Sequence, residues 1–243
     1  MKVLLTGGTK GIGEGIVKTF AKKGYEIGFC YKESKQKANN LMKNTSDGQK
    51  VFGKQFDIAD EGQARDFVHW GFEKLSQPDT LVLNAGFNRD GPFLQMSTDD
   101  WKNVIDVHLN SAFYIAQEFL KLLGKKEGNI ITLASQTAIT GRKNGANYCS
   151  AKAGLITFTK CLALEFAPRV RANCIIPGAF ETDEVLDRYD LHDEDRRKEL
   201  EQKIPLGRLG QPEEIADIIE FIVLRAKYMT GQSITYSGGL NMS

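Results

Sequence analysis

The sequence predicts a single α/β domain over residues 1–243, with a doubly wound, parallel sheet of about seven strands. Short apolar runs alternate with helical patterns roughly every 20 to 30 residues, which is typical of βαβ units. A Gly-rich loop separates the first apolar run from the first helical pattern. With 243 residues, 41% of them hydrophobic, the chain can form a core without disulfides or metals. Ligand-binding residues are therefore expected at the C-terminal edge of the sheet.

The charge balance argues against several function classes. Lys and Arg number 32 and Asp and Glu 31, so no basic excess favours nucleic acid or an anionic membrane. No apolar run reaches the ~20 residues that cross a bilayer, and the N-terminal pattern predicts no signal peptide. The four cysteines lack metal-ligand spacing, which favours reduced thiols and no metal site. We expect a cytoplasmic protein.

The first strand pattern, Val3 to Leu5, leads into Thr6-Gly7-Gly8-Thr9-Lys10-Gly11-Ile12-Gly13, and a helical pattern then runs to Lys23. Gly24 is the candidate C-cap. Strand, glycine loop and helix place backbone N–H groups and a helix N-terminus against a pyrophosphate. The spacing G-x-x-x-G-x-G is less common than G-x-G-x-x-G, and a glycine turn without a ligand is the alternative. We expect a Rossmann-type dinucleotide site.

The second strand pattern, Glu26 to Tyr31, bears on which dinucleotide is bound. An acidic residue at its end would bind the ribose 2′-hydroxyl of NAD. The chain instead has Tyr31 and Lys32 there, and Lys10 lies in the glycine loop. Two cations without a carboxylate suit a 2′-phosphate and predict NADP(H). Glu33 argues against this choice, and the alternative for Lys32 is a solvated turn residue.

The next patterns are a polar helix, a strand, a helix and a strand at 35–43, 51–56, 61–75 and 80–83. Asp57 and Ile58 follow the third strand. Asp57 is expected to meet an adenine edge, to N-cap the following helix, or both. Asn84-Ala85-Gly86 follows the fourth strand, where small residues let the backbone approach a ligand.

In the second half, apolar residues recur every three or four positions from Trp101 to Leu123 and predict one long helix. Further strands are predicted at 130–133, 174–176 and 233–236, and helices at about 147–166 and 212–224. The charged stretch 183–203 predicts a mobile helical segment outside the core. A substrate lid near 180–205 is the functional interpretation, and a solvated surface excursion is the alternative.

Ser135, Tyr148 and Lys152 form the candidate catalytic set. Ser135 follows a strand, and Tyr148 and Lys152 share one helix face because they are four residues apart. A phenol titrates near 10 and a nearby cation favours the phenolate, but a pKa of 7 requires about 4 kcal/mol of stabilisation. One lysine does not supply this, and a cationic cofactor ring would add the rest. Alone, the spacing more often marks a half-buried tyrosine beside a solvated lysine.

Taken together, these motifs resemble the short-chain dehydrogenase/reductase family along the whole chain. The matching residues are Thr6 to Gly13, Asn84 to Gly86, Ser135, Tyr148, Lys152, Pro177 and Gly178. Within the family, the stretches 84–96, 147–154, 177–182 and 204–214 are most similar to 3-oxoacyl-[acyl-carrier-protein] reductases.

The resemblance implies roles for individual residues. Tyr148 would protonate the substrate carbonyl oxygen, Ser135 would hydrogen-bond the same oxygen, and Lys152 would hold the nicotinamide ribose and lower the pKa of Tyr148. Thr182 would contact the carboxamide. The implied cofactor contacts are Thr6, Gly7, Thr9, Lys10, Gly11, Ile12, Gly13, Tyr31, Lys32, Asp57, Ile58, Asn84, Ala85, Gly86, Tyr148, Lys152, Pro177, Gly178 and Thr182.

His108 departs from the family pattern. The family usually has an asparagine in a Val-Asn-Leu context on the helix after Asn-Ala-Gly, whereas this chain has Val107-His108-Leu109-Asn110. Asn110 is about 200° further round an α-helix and does not simply replace it. A histidine can hydrogen-bond a water that leads to Lys152, so we expect an altered proton relay with His108 in the catalytic set. A packed histidine bonded to backbone is the alternative.

The resemblance implies an NADPH-dependent reductase of 3-oxoacyl thioesters in fatty acid biosynthesis. A reductase of steroid, sugar or polyketide carbonyls is an alternative, and so is a non-catalytic NADP(H) sensor, against which the intact Tyr148 argues.

The family also implies a homotetramer whose interface is formed by helices 101–123 and 148–166. Arg142 and Lys143 could meet an acidic acyl carrier protein, although an isolated basic pair more often only faces solvent.

Overall fold

Seven strands form one parallel sheet in the order β3-β2-β1-β4-β5-β6-β7. The structure is a computed structural model that describes residues 1–44 and 50–242. The strands are β1 (Lys2–Leu5), β2 (Glu26–Tyr31), β3 (Val51–Gln55), β4 (Thr80–Leu83), β5 (Gly128–Leu133), β6 (Val170–Pro177) and β7 (Ser233–Tyr236). The sheet confirms the predicted doubly wound, Rossmann-type α/β class.

Helices cover both faces of the sheet. They are α1 (Gly11–Lys22), α2 (Lys35–Asn44), α3 (Glu61–Leu75), α4 (Thr98–Ile105), α5 (Ser111–Leu123), α6 (Thr137–Thr140), α7 (Ala146–Phe166), α8 (Asp183–Tyr189), α9 (Glu194–Gln202) and α10 (Pro212–Leu224). Apolar residues of α1, α2 and α10 pack on one face, and those of α3, α5 and α7 pack on the other. The strands are buried between these two layers because parallel sheets need cover on both sides.

The strand order reverses between β1 and β4, which are neighbours in the sheet but not in the chain. Loops that leave these two strands diverge toward opposite faces and leave a crevice at the C-terminal edge. The glycine loop leaves β1 here and Asn84 leaves β4. This crevice therefore positions the site.

The predicted long helix from Trp101 to Leu123 is interrupted at its centre. Five residues, Asp106–Asn110, form a π-helical segment between α4 and α5. A π-helical turn contains an extra residue, and such segments are frequent at functional sites. His108 lies in this segment, so the α-helical angle between His108 and Asn110 does not apply. Asn110 itself donates a hydrogen bond to Asp106 Oδ1 at 2.6 Å.

The charged segment 183–203 is helical and lies outside the main core, as its pattern predicted. It contains α8 and α9, and Leu191 packs with Ile204 and Leu209 in a small apolar cluster separate from the main core. Ion pairs add to this packing, as between Arg197 and Glu181 at 2.9 Å. Within residues 1–44 and 50–242, no helix has both the length and the apolar character needed to cross a membrane.

Candidate active site

The glycine loop after β1 is braced by Asn84. The Asn84 amide nitrogen donates to the backbone oxygens of Thr6 at 3.0 Å and Gly7 at 2.8 Å. In return, the buried Thr6 hydroxyl accepts hydrogen bonds from the backbone N–H groups of Asn84 and Ala85, both at 3.0 Å. Sequence reasoning placed Asn84 on the cofactor cleft, and in the structure its side chain holds the two loops of that cleft together.

The same loop forms a cradle at the N-terminus of α1. A Cβ atom at Gly13 would lie 1.8 Å from the Gly7 carbonyl oxygen, so only glycine permits this close approach. The helix begins at Gly11, and Lys10 at its N-cap position makes no side-chain capping bond. Free backbone N–H groups and the helix dipole favour an anion at this point. The cradle therefore fits the pyrophosphate of a dinucleotide.

The residues expected at the adenosine end differ in where their side chains point. Tyr31 and Ile58 are largely buried, one in each core layer. Lys32 pairs with Asp57, with 2.7 Å between Nζ and Oδ2. Lys10 is exposed and makes no ion pair among the described residues. The N-cap of α3 is Asp60 rather than Asp57, because Asp60 Oδ1 accepts from Gln63 N at 2.8 Å.

Ser135, Tyr148 and Lys152 converge beyond β5. Ser135 leaves the strand two residues after Leu133, and its hydroxyl lies beside the Tyr148 phenol. Lys152, one turn along α7 from Tyr148, is buried and donates a hydrogen bond from Nζ to the Leu133 carbonyl oxygen at 2.7 Å. Its Nζ is 5.8 Å from the centroid of the Tyr148 ring. A hydroxyl, a phenol and an ammonium thus meet at the same edge as the glycine loop.

The loop after β6 completes the cleft. Gly178 donates from its backbone N–H to the Tyr236 oxygen at 3.0 Å, which fixes the Pro177–Gly178 turn against β7. Thr182 N-caps α8 by accepting from Val185 N at 3.3 Å, and its methyl group faces Gly11. The first turn of α8 is therefore anchored next to the glycine loop.

Sequence comparisons place this site in a known family. A family model described as Enoyl-(Acyl carrier protein) reductase matches residues 7–241. The chain is 36% identical over 242 residues to the 3-oxoacyl-[acyl-carrier-protein] reductase FabG of Chlamydia pneumoniae, which covers 98% of this chain and 96% of that protein. The FabG protein of Aquifex aeolicus is 35% identical over 243 residues, with 98% and 96% covered. The chain belongs to the short-chain dehydrogenase/reductase family.

Solved structures of the family agree with this assignment. A short-chain dehydrogenase/reductase from Brucella melitensis superposes with a TM-score of 0.92 at 30% identity, covering 100% of this chain and 97% of that chain. A blue fluorescent protein from a metagenomic library, solved in complex with NADPH, gives 0.89 at 29% identity, with 99% and 98% covered. Family membership makes this protein an oxidoreductase of the CH–OH group and its carbonyl counterpart that uses a nicotinamide cofactor.

The electrostatics of this short-chain reductase site differ from the expectation in one respect. Burial raises the pKa of Tyr148 to about 12, although the adjacent Ser135 hydroxyl and the Arg142 guanidinium act to lower it. Burial also lowers the pKa of Lys152 to about 8. The protein alone therefore favours the protonated phenol, whereas the sequence pattern predicted that Lys152 would favour the phenolate. A protonated phenol is the form that donates a proton.

His108, which replaces the family asparagine, is buried against the Asn84–Gly86 loop. Its Nε2 lies 2.7 Å from the Phe87 carbonyl oxygen, and a Cβ at Gly86 would be 2.1 Å from its ring. The ring stands edge-on to Tyr148 with centroids 5.1 Å apart. Burial and the nearby Lys152 lower the pKa of His108 to about 3, so the imidazole is neutral. Its buried Nδ1 has no hydrogen-bond partner among the described residues.

The sequence did not indicate a polar network at the mouth of the site. Arg142 Nη2 donates to Asn88 Oδ1 at 2.9 Å and to Asp90 Oδ1 at 2.7 Å. The Asn88 amide nitrogen donates to Glu184 of α8, and Arg188 contacts Glu184 at 3.0 Å and Asp90 at 3.6 Å. Arg142 is therefore a member of the site and not a free cation of a solvated basic pair. Local spacing gave no signal because these partners lie more than 50 residues away from it.

Proposed function

We propose that this protein is an NADPH-dependent reductase that converts 3-oxoacyl thioesters to 3-hydroxyacyl thioesters. The observation that carries the proposal is the convergence of Ser135, Tyr148 and buried Lys152 beside a pyrophosphate cradle. Relatives over nearly the whole chain bear the name 3-oxoacyl-[acyl-carrier-protein] reductase, which supports this substrate class.

In the proposed mechanism, the Ser135 and Tyr148 hydroxyls hydrogen-bond the substrate carbonyl oxygen. When bound, the reduced nicotinamide supplies a hydride to the carbonyl carbon. Tyr148 stabilises the negative charge that develops on the oxygen and donates its proton there. Lys152 holds the nicotinamide ribose, and its ammonium stabilises the phenolate that remains. His108 packs behind this pair as a neutral group.

The cofactor would be held by the loops that leave β1, β2, β3, β4 and β6. Its pyrophosphate would bind at the cradle between Gly7 and Gly13, and Thr182 would contact the carboxamide. NADPH is favoured over NADH because Lys10 is exposed beside the cradle without a carboxylate partner among the described residues. Lys32 contributes less than the sequence suggested because Asp57 already neutralises its charge.

The substrate reaches the site under α8 and α9, which we propose as the lid near 180–205. Phe93 and Leu94, in a short 3₁₀ helix (Phe93–Gln95) after β4, and Leu206, after α9, are exposed apolar side chains that would contact an acyl chain. We propose an acyl carrier protein as the donor of that chain. Arg142 does not serve as its docking cation, since its guanidinium is bound to Asn88 and Asp90.

An NADPH-oxidation screen tests the proposal. Acetoacetyl thioesters, crotonyl thioesters, sugars, steroids and quinones are compared at equal concentration, with NADH as the parallel cofactor. The acetoacetyl thioester should give the highest kcat/KM. Crotonyl thioester serves as the matched control because it presents a carbon–carbon double bond and the same acyl length. Faster reduction of crotonyl thioester, or of a sugar or steroid, would assign a different substrate class.

A further inference from the structure

The loop residue Arg142 stands against the phenol that the proposed function uses as its acid. The centre of the Arg142 guanidinium lies 5.0 Å from the centroid of the Tyr148 ring, closer than Lys152 Nζ at 5.8 Å. A cation at this distance from an aromatic ring is attracted to it, and the attraction grows when the ring carries a phenolate charge. Tyr148 is thus flanked by two cations.

Arg142 is fixed in this position by contacts from separate parts of the chain. Its Nη2 is shared between Asn88 and Asp90 of the loop after β4. Its Nε lies over Gly145 at the start of α7, where a Cβ atom would approach to 2.8 Å. The side chain is only 17% exposed. A surface arginine that merely faced solvent would have neither this burial nor this number of partners.

We propose that Arg142 is a positioning residue of the reaction: its guanidinium, aligned by Asn88 and Asp90, stabilises the ionised form of Tyr148. This inference rests on the proposed role of Tyr148 as general acid. Asp90 moderates the effect because its carboxylate partly neutralises the guanidinium. The charge that Tyr148 experiences therefore depends on the pair and not on Arg142 alone.

Several other groups also act on the Tyr148 phenol. The pKa of the phenol is raised to about 12, chiefly by burial; Ser135 and Arg142 act to lower it, and Glu184 of α8 and Cys149 of α7 act to raise it. Among the described residues, Lys152 on α7, neutral His108 on the π-helical segment and Asp90 behind Arg142 also lie near the phenol. Arg188 of α8 pairs with Asp90 and Glu184. Arg142 is the cation among the main groups that lower this pKa.

The test compares the pH profiles of alcohol oxidation, with 3-hydroxybutyryl thioester and NADP⁺ as substrates. Oxidation needs the phenolate, so kcat/KM rises with pH through the apparent pKa of Tyr148. Arg142→Met should move this rise to higher pH by about one unit, since a removed neighbouring charge shifts a pKa by this order. Lys143→Gln removes the same charge one position away at an exposed residue and should leave the profile unchanged.

A second variant should shift the pH profile in the opposite direction. Asp90→Asn leaves the guanidinium without its counter-charge, so the rise should move to lower pH. General damage to the site would shift the pH profiles of both variants in the same direction, or would change only their KM. Equal profiles for wild type and Arg142→Met, or shifts of the same sign in Arg142→Met and Asp90→Asn, would overturn the inference.

The phenolate absorbance of Tyr148 gives a readout that needs no substrate. It is obtained for each protein as the ultraviolet difference from its Tyr148→Phe derivative in the presence of NADP⁺. The same order of apparent pKa values is expected: Arg142→Met highest, then wild type, then Asp90→Asn. If this order holds but the thioester is not oxidised, the substrate assignment fails and the inference stands. If the thioester is oxidised and the order is absent, only the inference fails.

Discussion

His108 is a residue whose burial links stability to pH. Burial and the nearby Lys152 lower its pKa in the folded protein to about 3, from an ordinary value of 6.5. Below about pH 6.5 the unfolded chain binds a proton that the folded protein does not, so the free energy of unfolding falls as pH falls toward 3. This one residue should contribute up to about 1.4 kcal/mol per pH unit in that window.

His108→Asn should remove that dependence because asparagine does not titrate. We expect urea unfolding at pH 7, 6 and 5 to give a steeper loss of stability for the wild type than for the variant. Other titrating groups are common to both proteins and cancel in the comparison. Parallel slopes would mean that His108 binds its proton equally well in both states, contrary to its burial.

Lys10 is the residue on which the proposed preference for NADPH depends. Lys10→Ala should weaken NADPH binding by about tenfold, or about 1.4 kcal/mol, and leave NADH binding nearly unchanged. Lys22→Ala is the matched control because Lys22 is an exposed lysine at the other end of α1. Fluorescence titration of both cofactors checks this. Equal affinities of the wild type for NADPH and NADH would contradict the proposal that Lys10 favours NADPH.

Among the elements, α8 and α9 combine a small apolar cluster with ion pairs at the mouth of the site. Thr182 anchors α8 beside Gly11 of the cofactor loop, and Glu184 joins it to Asn88. Segments with so few buried contacts open more readily than a core helix. A cofactor that binds against Thr182 would hold them closed.

Limited trypsin digestion tests this lid. Arg188, Arg196 and Lys203 offer cleavage sites in the segment, and saturating NADPH should slow cleavage there by at least about tenfold, as expected for a segment whose opening is suppressed. Glu184→Gln should be cut faster than the wild type without cofactor, since its tie to Arg188 is weakened. Cleavage rates that do not respond to NADPH would favour a solvated surface excursion instead.

Some elements of the fold and site could be predicted from the sequence, and others could not. Tyr148 and Lys152 were predictable as a pair because spacing alone puts them on one helix face, and Ser135 because it follows a buried strand. The π-helical segment was not predictable, because apolar residues recur at helical spacing on both sides of Asp106–Asn110. The position of Arg142 was not predictable either, because the paths of two distant loops decide which side chains contact it.

At the scale of the whole molecule, three exposed apolar side chains bear on the predicted assembly of copies of the chain. Trp101, Phe113 and Leu164 are exposed apolar side chains on α4, α5 and α7, the helices predicted to form a tetramer interface. We propose that these faces pair between copies of the chain. Light scattering should give the mass of a tetramer for the wild type and a smaller one for Phe113→Asp combined with Leu164→Asp. A monomeric wild type would contradict this assembly.

At the same scale, the sheet, the crevice and the covering helices position one candidate reaction centre, in which Tyr148 is the proposed acid. The most direct measurement is single-turnover reduction of an acetoacetyl thioester by NADPH, for the wild type and for Tyr148→Phe. The variant should bind NADPH with nearly unchanged affinity and reduce the thioester at least about 1,000-fold more slowly, as expected for loss of a general acid with its hydrogen bond. A Tyr148→Phe protein that reduced the thioester at close to the wild-type rate would contradict the role of Tyr148 as the general acid.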